Sequence, residues 1–285
     1  MNKKRCQIGI DVGGTKMSAV LFDGEKIILD YILATPKDNL DHFLVMLLAL
    51  IDPLLEKAKE LKCDLEGIGL GLAGVIDYKE NRMLNSPNIP LINGVKVGEE
   101  LEKRVNFPVK IDNDGNCFVR SVAKVGVAKK YNNIYGLIVG TGIGGGWFLN
   151  GDIYKSSFGG SGEPGEMIMD FSNGIKLEDA YHKLTQNNPA NLAEEAYRGD
   201  ILAEKSFAEL GEFLGMALAN IANLIAPEVI VLGGGAMQSA DLFLSIIKKT
   251  MRQNISSSEL RKHIKILKSK LNEQSGAVGA ALLFK

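Results

Sequence analysis

The chain has 285 residues, with 33 Lys and Arg against 34 Asp and Glu, so its formal net charge of −1 gives no global field to recruit nucleic acid or a membrane surface. A hydrophobic content of 46% with 24% charged residues is ordinary for a soluble globular protein, and the length allows one large domain or two medium ones with a real core. Cys6, Cys63 and Cys117 lie far apart and form no C-x-x-C pair. That spacing speaks against a local zinc or iron–sulfur cluster and against a disulfide framework, and it suits reduced thiols in a cytoplasmic protein. Lys3, Lys4 and Arg5 resemble a signal-peptide start, but the apolar run before Asp11 is too short to be an h-region. The most hydrophobic run, Phe43 to Ile51, is far below the roughly 20 residues that span a bilayer and reads as a buried helix.

In chain order, Gln7 to Val12 and Met17 to Phe22 read as strands, followed by Lys26 to Ala34. Leu40 to Leu61 has helical periodicity, with Pro53 as a kink or break. Glu66 to Leu72 is a strand, Ser86 to Pro90 an irregular loop, Val97 to Arg104 a short helix and Val109 to Ile111 a short strand. A helix from Asn116 to Gly126 is entered from Asp112-Asn-Asp-Gly115. The second half opens with the strand Ile134 to Val139. After an irregular region, a long helix runs from Ile201 to Ile225, with Gly211, Gly215 and several alanines permitting close packing, and Pro227 stops it. Val229 to Leu232 and Ile264 to Leu267 are strands, Asp241 to Gln253 is a helix, and Ser275 to Leu283 is a terminal helix of small residues. The basic residues between Lys248 and Lys270 are spread among apolar ones, as on a solvated face.

Two glycine turns organise the chain. Asp11-Val-Gly-Gly-Thr-Lys16 and Gly140-Thr-Gly-Ile-Gly-Gly-Gly146 each follow an apolar strand, run into another and reach a hairpin signal, Asp23-Gly24 or Asn150-Gly151. The repetition implies a duplicated α/β architecture whose glycines let backbone N–H groups approach an anion. G-x-G-x-x-G occurs at Gly69 and at Gly140, but neither copy opens a helix after a strand, so a dinucleotide fold is excluded. A Walker A loop is absent from the sequence.

Taken together and in order, the motifs resemble the actin and hexokinase-like superfamily. Asp11 to Lys16 is similar to its first phosphate loop, Gly140 to Gly146 to its second, and Val229 to Ala236 to its adenosine turn. Asp112-Asn-Asp-Gly-Asn116 and Gly162-Glu-Pro-Gly-Glu166 narrow the resemblance to the ROK family of sugar kinases and repressors. It implies two duplicated actin-like (ribonuclease H-like) lobes with an ATP cleft between them. Residues 1–114 would form the small lobe, 115–271 the large lobe, and the helix within 272–285 would pack back on the small one.

The resemblance also implies roles, with ATP and Mg²⁺ as cofactors and a small-molecule sugar as partner. Asp114 is the catalytic base for a sugar hydroxyl, its ionised form favoured by N–H groups at the helix start; helix capping is the competing role for an aspartate here. Asp11 carries Mg²⁺ through water. Gly13, Gly14, Thr15 and Lys16 from one lobe, with Thr141 and Gly142 from the other, hold phosphate oxygens. Gly234 and Gly235 let the nucleoside lie against backbone. Gly74, Asn113, Glu163, Glu166 and Glu178 line the sugar. The resembling kinases are often homodimers, although no residue here demonstrates one.

The pattern breaks at Glu166, where the family has a histidine that serves the sugar and a structural zinc. The C-x-C-G-x-x-G-C string is also missing: Asp170 to Lys176 is shorter and has no cysteine, so no zinc is expected. Glu163, Glu166 and Glu178 then crowd charge at one end of the sugar unless one is protonated, the substrate supplies donors, or Glu166 turns to solvent. The leading expectation is an ATP-dependent hexose or N-acetylhexosamine kinase acting at the 6-hydroxyl. The rivals are a catalytically weak sugar or nucleotide sensor, a repressor (disfavoured because Asp11 leaves no room for a helix-turn-helix before it) and an actin-like assembly protein.

Overall fold

In the computed structural model, which describes residues 5–285, an antiparallel meander comes first: β1 (Arg5–Val12), β2 (Lys16–Phe22) and β3 (Ile27–Ala34). Lys3 and Lys4 of the signal-like start lie outside the described residues. Helix α1 (Leu40–Glu60) is capped by Asn39, whose side chain accepts the His42 N–H at 2.9 Å. Pro53 does not interrupt α1. Leu47, Leu50, Ile51 and Leu54 are all fully buried in the first-half core on both sides of the proline, and that burial outweighs its cost of about 3 kcal/mol.

Strand β4 (Asp64–Leu72) then pairs in parallel with β1. A small hairpin of β5 (Val75–Asp77) and β6 (Arg82–Asn85) and helix α2 (Val97–Val105) lead to β7 (Val109–Asn113), parallel to β4. The first sheet has the order β3-β2-β1-β4-β7.

After helix α3 (Asp114–Lys124) the pattern repeats. Strands β8 (Ile134–Val139), β9 (Ile143–Leu149) and β10 (Asp152–Ile153) form a second meander. Its last turn uses Asn150 and Gly151 at φ 54° and 86°, the pair of positive angles that a tight two-residue hairpin needs. The region expected to be irregular contains the hairpin β11 (Ile168–Asp170) and β12 (Ile175–Lys176), followed by helices α4 (Leu177–Thr185) and α5 (Pro189–Tyr197). Helix α6 (Ile201–Ile225) matches its expected bounds. Strand β13 (Val229–Gly233) pairs in parallel with β8. A 3₁₀ segment over Gly235–Leu242 delays α7 (Leu244–Asn254) by three residues from its expected start. Helix α8 (Ser258–His263), strand β14 (Lys265–Lys268) and helix α9 (Ser275–Ala281) complete the chain. The second sheet, β10-β9-β8-β13-β14, has the topology of the first, so the duplication read from the glycine turns is real.

The two halves exchange helices. α3 follows β7 of the first sheet, yet Phe118, Val119 and Val122 pack with Ile134, Phe148, Val229 and Val231 of the second. α9 follows the second sheet, yet Ala277, Val278 and Ala281 pack on Val20 and Phe22 of the first. The two helices cross so closely that a β-carbon on Gly279 would lie 1.7 Å from the Cys117 carbonyl oxygen. Backbone contact of this kind needs the small residues of the terminal segment. Among the described residues no helix is long and apolar enough to cross a membrane.

Candidate active site

The first glycine turn joins β1 to β2. The Gly13 N–H donates to the Lys16 carbonyl at 3.0 Å, and Thr35 donates through Oγ1 to Gly13 at 2.7 Å and through its N–H to Thr15 at 3.0 Å. These bonds occupy the carbonyls of Gly13, Thr15 and Lys16. The N–H groups of Gly14 and Thr15 find no acceptor among the described residues, and Thr15 and Lys16 are exposed. Gly14 is needed sterically: a β-carbon there would lie 2.6 Å from that of Asn88 in the loop expected to be irregular. Lys16 Nζ lies 2.7 Å from Glu273, which lines a small pocket with Gly234, Met237, Lys268 and Ser269. The pocket therefore sits where the adenosine turn was expected. Gly234, at φ 90°, has no room for a side chain, because a β-carbon would lie 2.2 Å from the Val139 carbonyl oxygen. Gly235 faces open space.

The second turn is tighter than its sequence suggests. It comprises Gly140 to Gly142, closed by the Gly140 N–H donating to the Gly142 carbonyl at 2.9 Å, while Gly144 to Gly146 belong to β9. The N–H groups of Thr141 and Gly142 have no acceptor among the described residues, and Thr141 is exposed. Gly145 and Gly146 serve a different purpose. A β-carbon on Gly115 would lie 2.0 Å from the Gly145 carbonyl oxygen, and one on Gly146 would lie 2.6 Å from that of Gly115. Bare backbone on both sides brings the start of α3, with Asp114, against β9.

The helix cap is Asn113, not Asp114. Asn113 Oδ1 accepts the Asn116 N–H at 3.1 Å, and its Nδ2 donates to the Gly74 carbonyl at 3.0 Å. Asp114 is the first helical residue, with Oδ1 accepting the Gly115 N–H at 2.9 Å. Burial raises its pKa, and the backbone N–H bonds at the helix start favour the ionised form, as expected, but offset only part of that rise. Asp11 is pushed up to about 7, first by burial and then by the charge of Asp114, with Lys16 opposing. Its carboxylate rests against α9, where a β-carbon on Gly276 would lie 2.4 Å from Oδ2. Glu163 is also pushed up to about 7, by burial and then by Asp114, Glu166 and Glu178. Acidic residues from β1, α3 and the loop after β10 thus share one partly enclosed region with little positive charge.

Glu178 and Glu166 are placed differently from each other. Glu178 Oε2 accepts the Ile143 N–H at 2.8 Å, and a β-carbon on Gly142 would lie 2.9 Å from Oε1, so this carboxylate abuts the second turn. Glu166 points outward, with its side chain 68% exposed and paired to Lys176 Nζ at 2.6 Å. Of the expected sugar-side residues, Asn113 joins Gly74 beside Asp114, Glu163 feels the Asp114 charge, Glu178 lies against the second turn, and Glu166 is at the surface.

Sequence reading missed the support beneath this centre. Asp112 is fully buried; it accepts from Tyr78 Oη at 2.7 Å and Asn116 Nδ2 at 3.0 Å, and pairs with Arg120 at 2.5 Å and Lys155 at 3.5 Å. Burial pushes its pKa up, but the charges of Arg120 and Lys155 and the Asn116 and Arg120 hydrogen bonds hold it below the usual range. Asn116 and Arg120, four and eight residues beyond Asp112, were a legible signal, because that spacing turns both back toward the strand end. Tyr78 and Lys155 had none.

Among the described residues, no three His, Cys, Asp or Glu side chains form a group able to hold a metal ion. A single carboxylate such as Asp11 suits magnesium, which keeps most of its coordination for water and substrate phosphates. The excess negative charge around Asp11 and Asp114 is an environment that a cation fits.

Comparisons with known proteins find relatives along nearly the whole chain. The chain is 30% identical to an N-acetyl-D-glucosamine kinase of Photobacterium profundum, over 96% of this chain and 98% of that one. It is 28% identical to a xylose repressor of Bacillus subtilis, over 98% of this chain and 77% of the repressor. A ROK glucokinase of Streptomyces griseus, solved with glucose and AMPPNP, superposes with a TM-score of 0.83 at 26% identity, covering 98% of both chains. The two-lobed actin-like fold is therefore shared with ROK sugar kinases. The sequence profile of the ROK family matches residues 7–176 and 173–285, and the chain belongs to that family.

Proposed function

We propose that the protein transfers the γ-phosphoryl group of ATP to the 6-hydroxyl of a hexose or N-acetylhexosamine. The observation that carries this reading is the continuity of the site. Two turns whose N–H groups have no acceptor among the described residues connect, through Glu178 and Glu163 on one side and Asp11 on the other, with Asp114. Phosphoryl transfer needs this combination, because attacking and leaving oxygens must be held in line while charge on the phosphoryl group is neutralised.

In this reading Asn113, Glu163, Glu178 and the Gly74 backbone hold sugar hydroxyls. Asp114 takes the proton of the attacking hydroxyl, and a base whose pKa stands above the ordinary carboxylate range does so more readily. Gly13, Gly14, Thr15 and Lys16 hold the phosphate tail from one side, Thr141 and Gly142 from the other, and Gly234 and Gly235 flank the nucleoside. Asp11 would hold hydrated Mg²⁺, which when bound neutralises phosphate charge. Glu166 is left out of the sugar set because Lys176 holds it at the surface. We propose no zinc, since Glu166 and the cysteine-free segment from Asp170 to Lys176 supply no Cys₃His set.

A catalytically weak sugar or nucleotide sensor is the second reading, favoured by the replacement of the family histidine at Glu166. Coupled ADP release, screened against glucose, mannose, fructose, allose, N-acetylglucosamine and N-acetylmannosamine, separates the two. The kinase reading expects ADP formation that depends on at least one of these sugars. Sugar-independent or absent ADP formation with all of them favours the sensor.

A further inference from the structure

We propose that α4 is the positioning element of the second glycine turn, with Tyr181 and Glu178 pinning its Gly140–Thr141 and Gly142–Ile143 peptide units and so setting the Thr141 and Gly142 N–H groups. The inference rests on the reading of Gly140 to Gly142 as a phosphate-binding turn. Tyr181 Oη donates to the Gly140 carbonyl at 2.6 Å. Glu178, one helical turn earlier on the same face, accepts the Ile143 N–H at 2.8 Å.

Each contact acts through the rigid plane of a peptide bond. In a trans peptide the carbonyl and the following N–H point in opposite directions, and no cis peptide occurs among the described residues. Tying the Gly140 carbonyl to Tyr181 therefore aims the Thr141 N–H away from α4. Tying the Ile143 N–H to Glu178 aims the Gly142 carbonyl back into the turn, where it accepts the Gly140 N–H at 2.9 Å. The Thr141 and Gly142 N–H groups are left as a preset pair of donors without acceptors among the described residues. Glycine would otherwise let these peptides rotate freely, so the order comes from outside the turn.

The anchors are themselves fixed. Tyr181 is 1% exposed, with its ring in the second-half core, so its hydroxyl has one position. The Glu178 carboxylate is wedged between two glycines: a β-carbon on Gly142 would lie 2.9 Å from Oε1, and one on Gly165 would lie 2.8 Å from Oε2. Gly165 belongs to the loop that carries Glu163, so Glu178 also ties the sugar-side loop to the phosphate turn. The Ile143 N–H offsets part of the repulsion that this carboxylate exerts on a phosphate beside it.

Calorimetric binding of Mg-AMPPNP and of adenosine, neither of which needs turnover, tests this with Tyr181→Phe, Glu178→Ala and Glu178→Gln. Tyr181→Phe removes one donor and no packing. Its Mg-AMPPNP affinity should fall about five- to tenfold, as expected for one lost hydrogen bond, while adenosine, which lacks the phosphate tail, binds as in the wild type. Glu178→Ala should lose a similar factor, and Glu178→Gln, whose amide oxygen still accepts the Ile143 N–H, should recover most of it. Mg-AMPPNP affinity within about twofold of wild type in Tyr181→Phe overturns the inference, as does an equal loss for adenosine and Mg-AMPPNP. A wild-type protein that binds adenosine but gains nothing from the phosphates overturns the reading of the turn itself.

Discussion

Asp11→Asn should stabilise the ligand-free protein at neutral and alkaline pH while impairing its proposed chemistry. Burial, and then the charge of Asp114, push the Asp11 carboxyl from 3.8 up to about 7. A gap of about 3 pH units at about 1.4 kcal/mol each sets a ceiling of about 4 kcal/mol on the cost of keeping this carboxylate ionised in the fold. Asp11 retains some contact with water, and screening there reduces the expected effect to about 1–2 kcal/mol. The sign follows from linkage. The folded state holds a proton on Asp11 that the unfolded chain releases between about pH 4 and pH 7, so wild-type stability falls as pH rises through that window. Asparagine fills nearly the same volume and has no such proton. The two proteins should be equally stable near pH 4 and diverge by about 1–2 kcal/mol at pH 8, with the variant more stable and its melting point about 2–8 °C higher. Urea unfolding at several pH values, without nucleotide or magnesium, measures this. A variant no more stable than wild type at pH 8, or a gap that is the same at pH 4 and pH 8, refutes the reasoning.

Three further outcomes follow from the same site. Arg120→Ala should cost about 3–5 kcal/mol in urea unfolding, because it leaves the fully buried Asp112 with Lys155 as its remaining cationic partner; a loss under about 1 kcal/mol would mean that the pair is not structural. Sugar-dependent kcat/KM should rise with pH and level off above about 7, as Glu163 and Asp11 lose the protons that burial favours. A profile flat down to pH 5 contradicts that. Elemental analysis of the purified protein should find no stoichiometric zinc, and one zinc per chain would show a site that Glu166 and Asp170 to Lys176 do not explain.

Much of this architecture is legible in the sequence, because it depends on local signals. Alternating apolar strands, two glycine turns and the hairpin at Asn150-Gly151 specify the duplicated sheets, and α6 appears with the bounds its periodicity gave. What escaped was decided by distant partners. Helices α4 and α5 lie in short, polar stretches, although Asn188 as a cap and Pro189 in the first turn were an available start signal for α5. Pro53 looked like a break until burial on both sides of it was known. The cap fell to Asn113 rather than Asp114 because Asn113 also reaches the Gly74 carbonyl, a contact across 39 positions. The ten positions between Glu166 and its partner Lys176 give no sequence signal for that pairing. Tyr181 illustrates the same limit: its role comes from a hydrogen bond to Gly140, 41 positions away.

The central claim is that Asp114 serves as the base of a phosphoryl transfer from ATP to a sugar. Steady-state ADP release with the best sugar of the screen, compared between wild type and Asp114→Asn, addresses it most directly when Mg-AMPPNP binding is measured alongside. The account predicts that kcat falls by about 10²- to 10⁴-fold in the variant while Mg-AMPPNP affinity stays near that of wild type. A variant that turns over at the wild-type rate would contradict it.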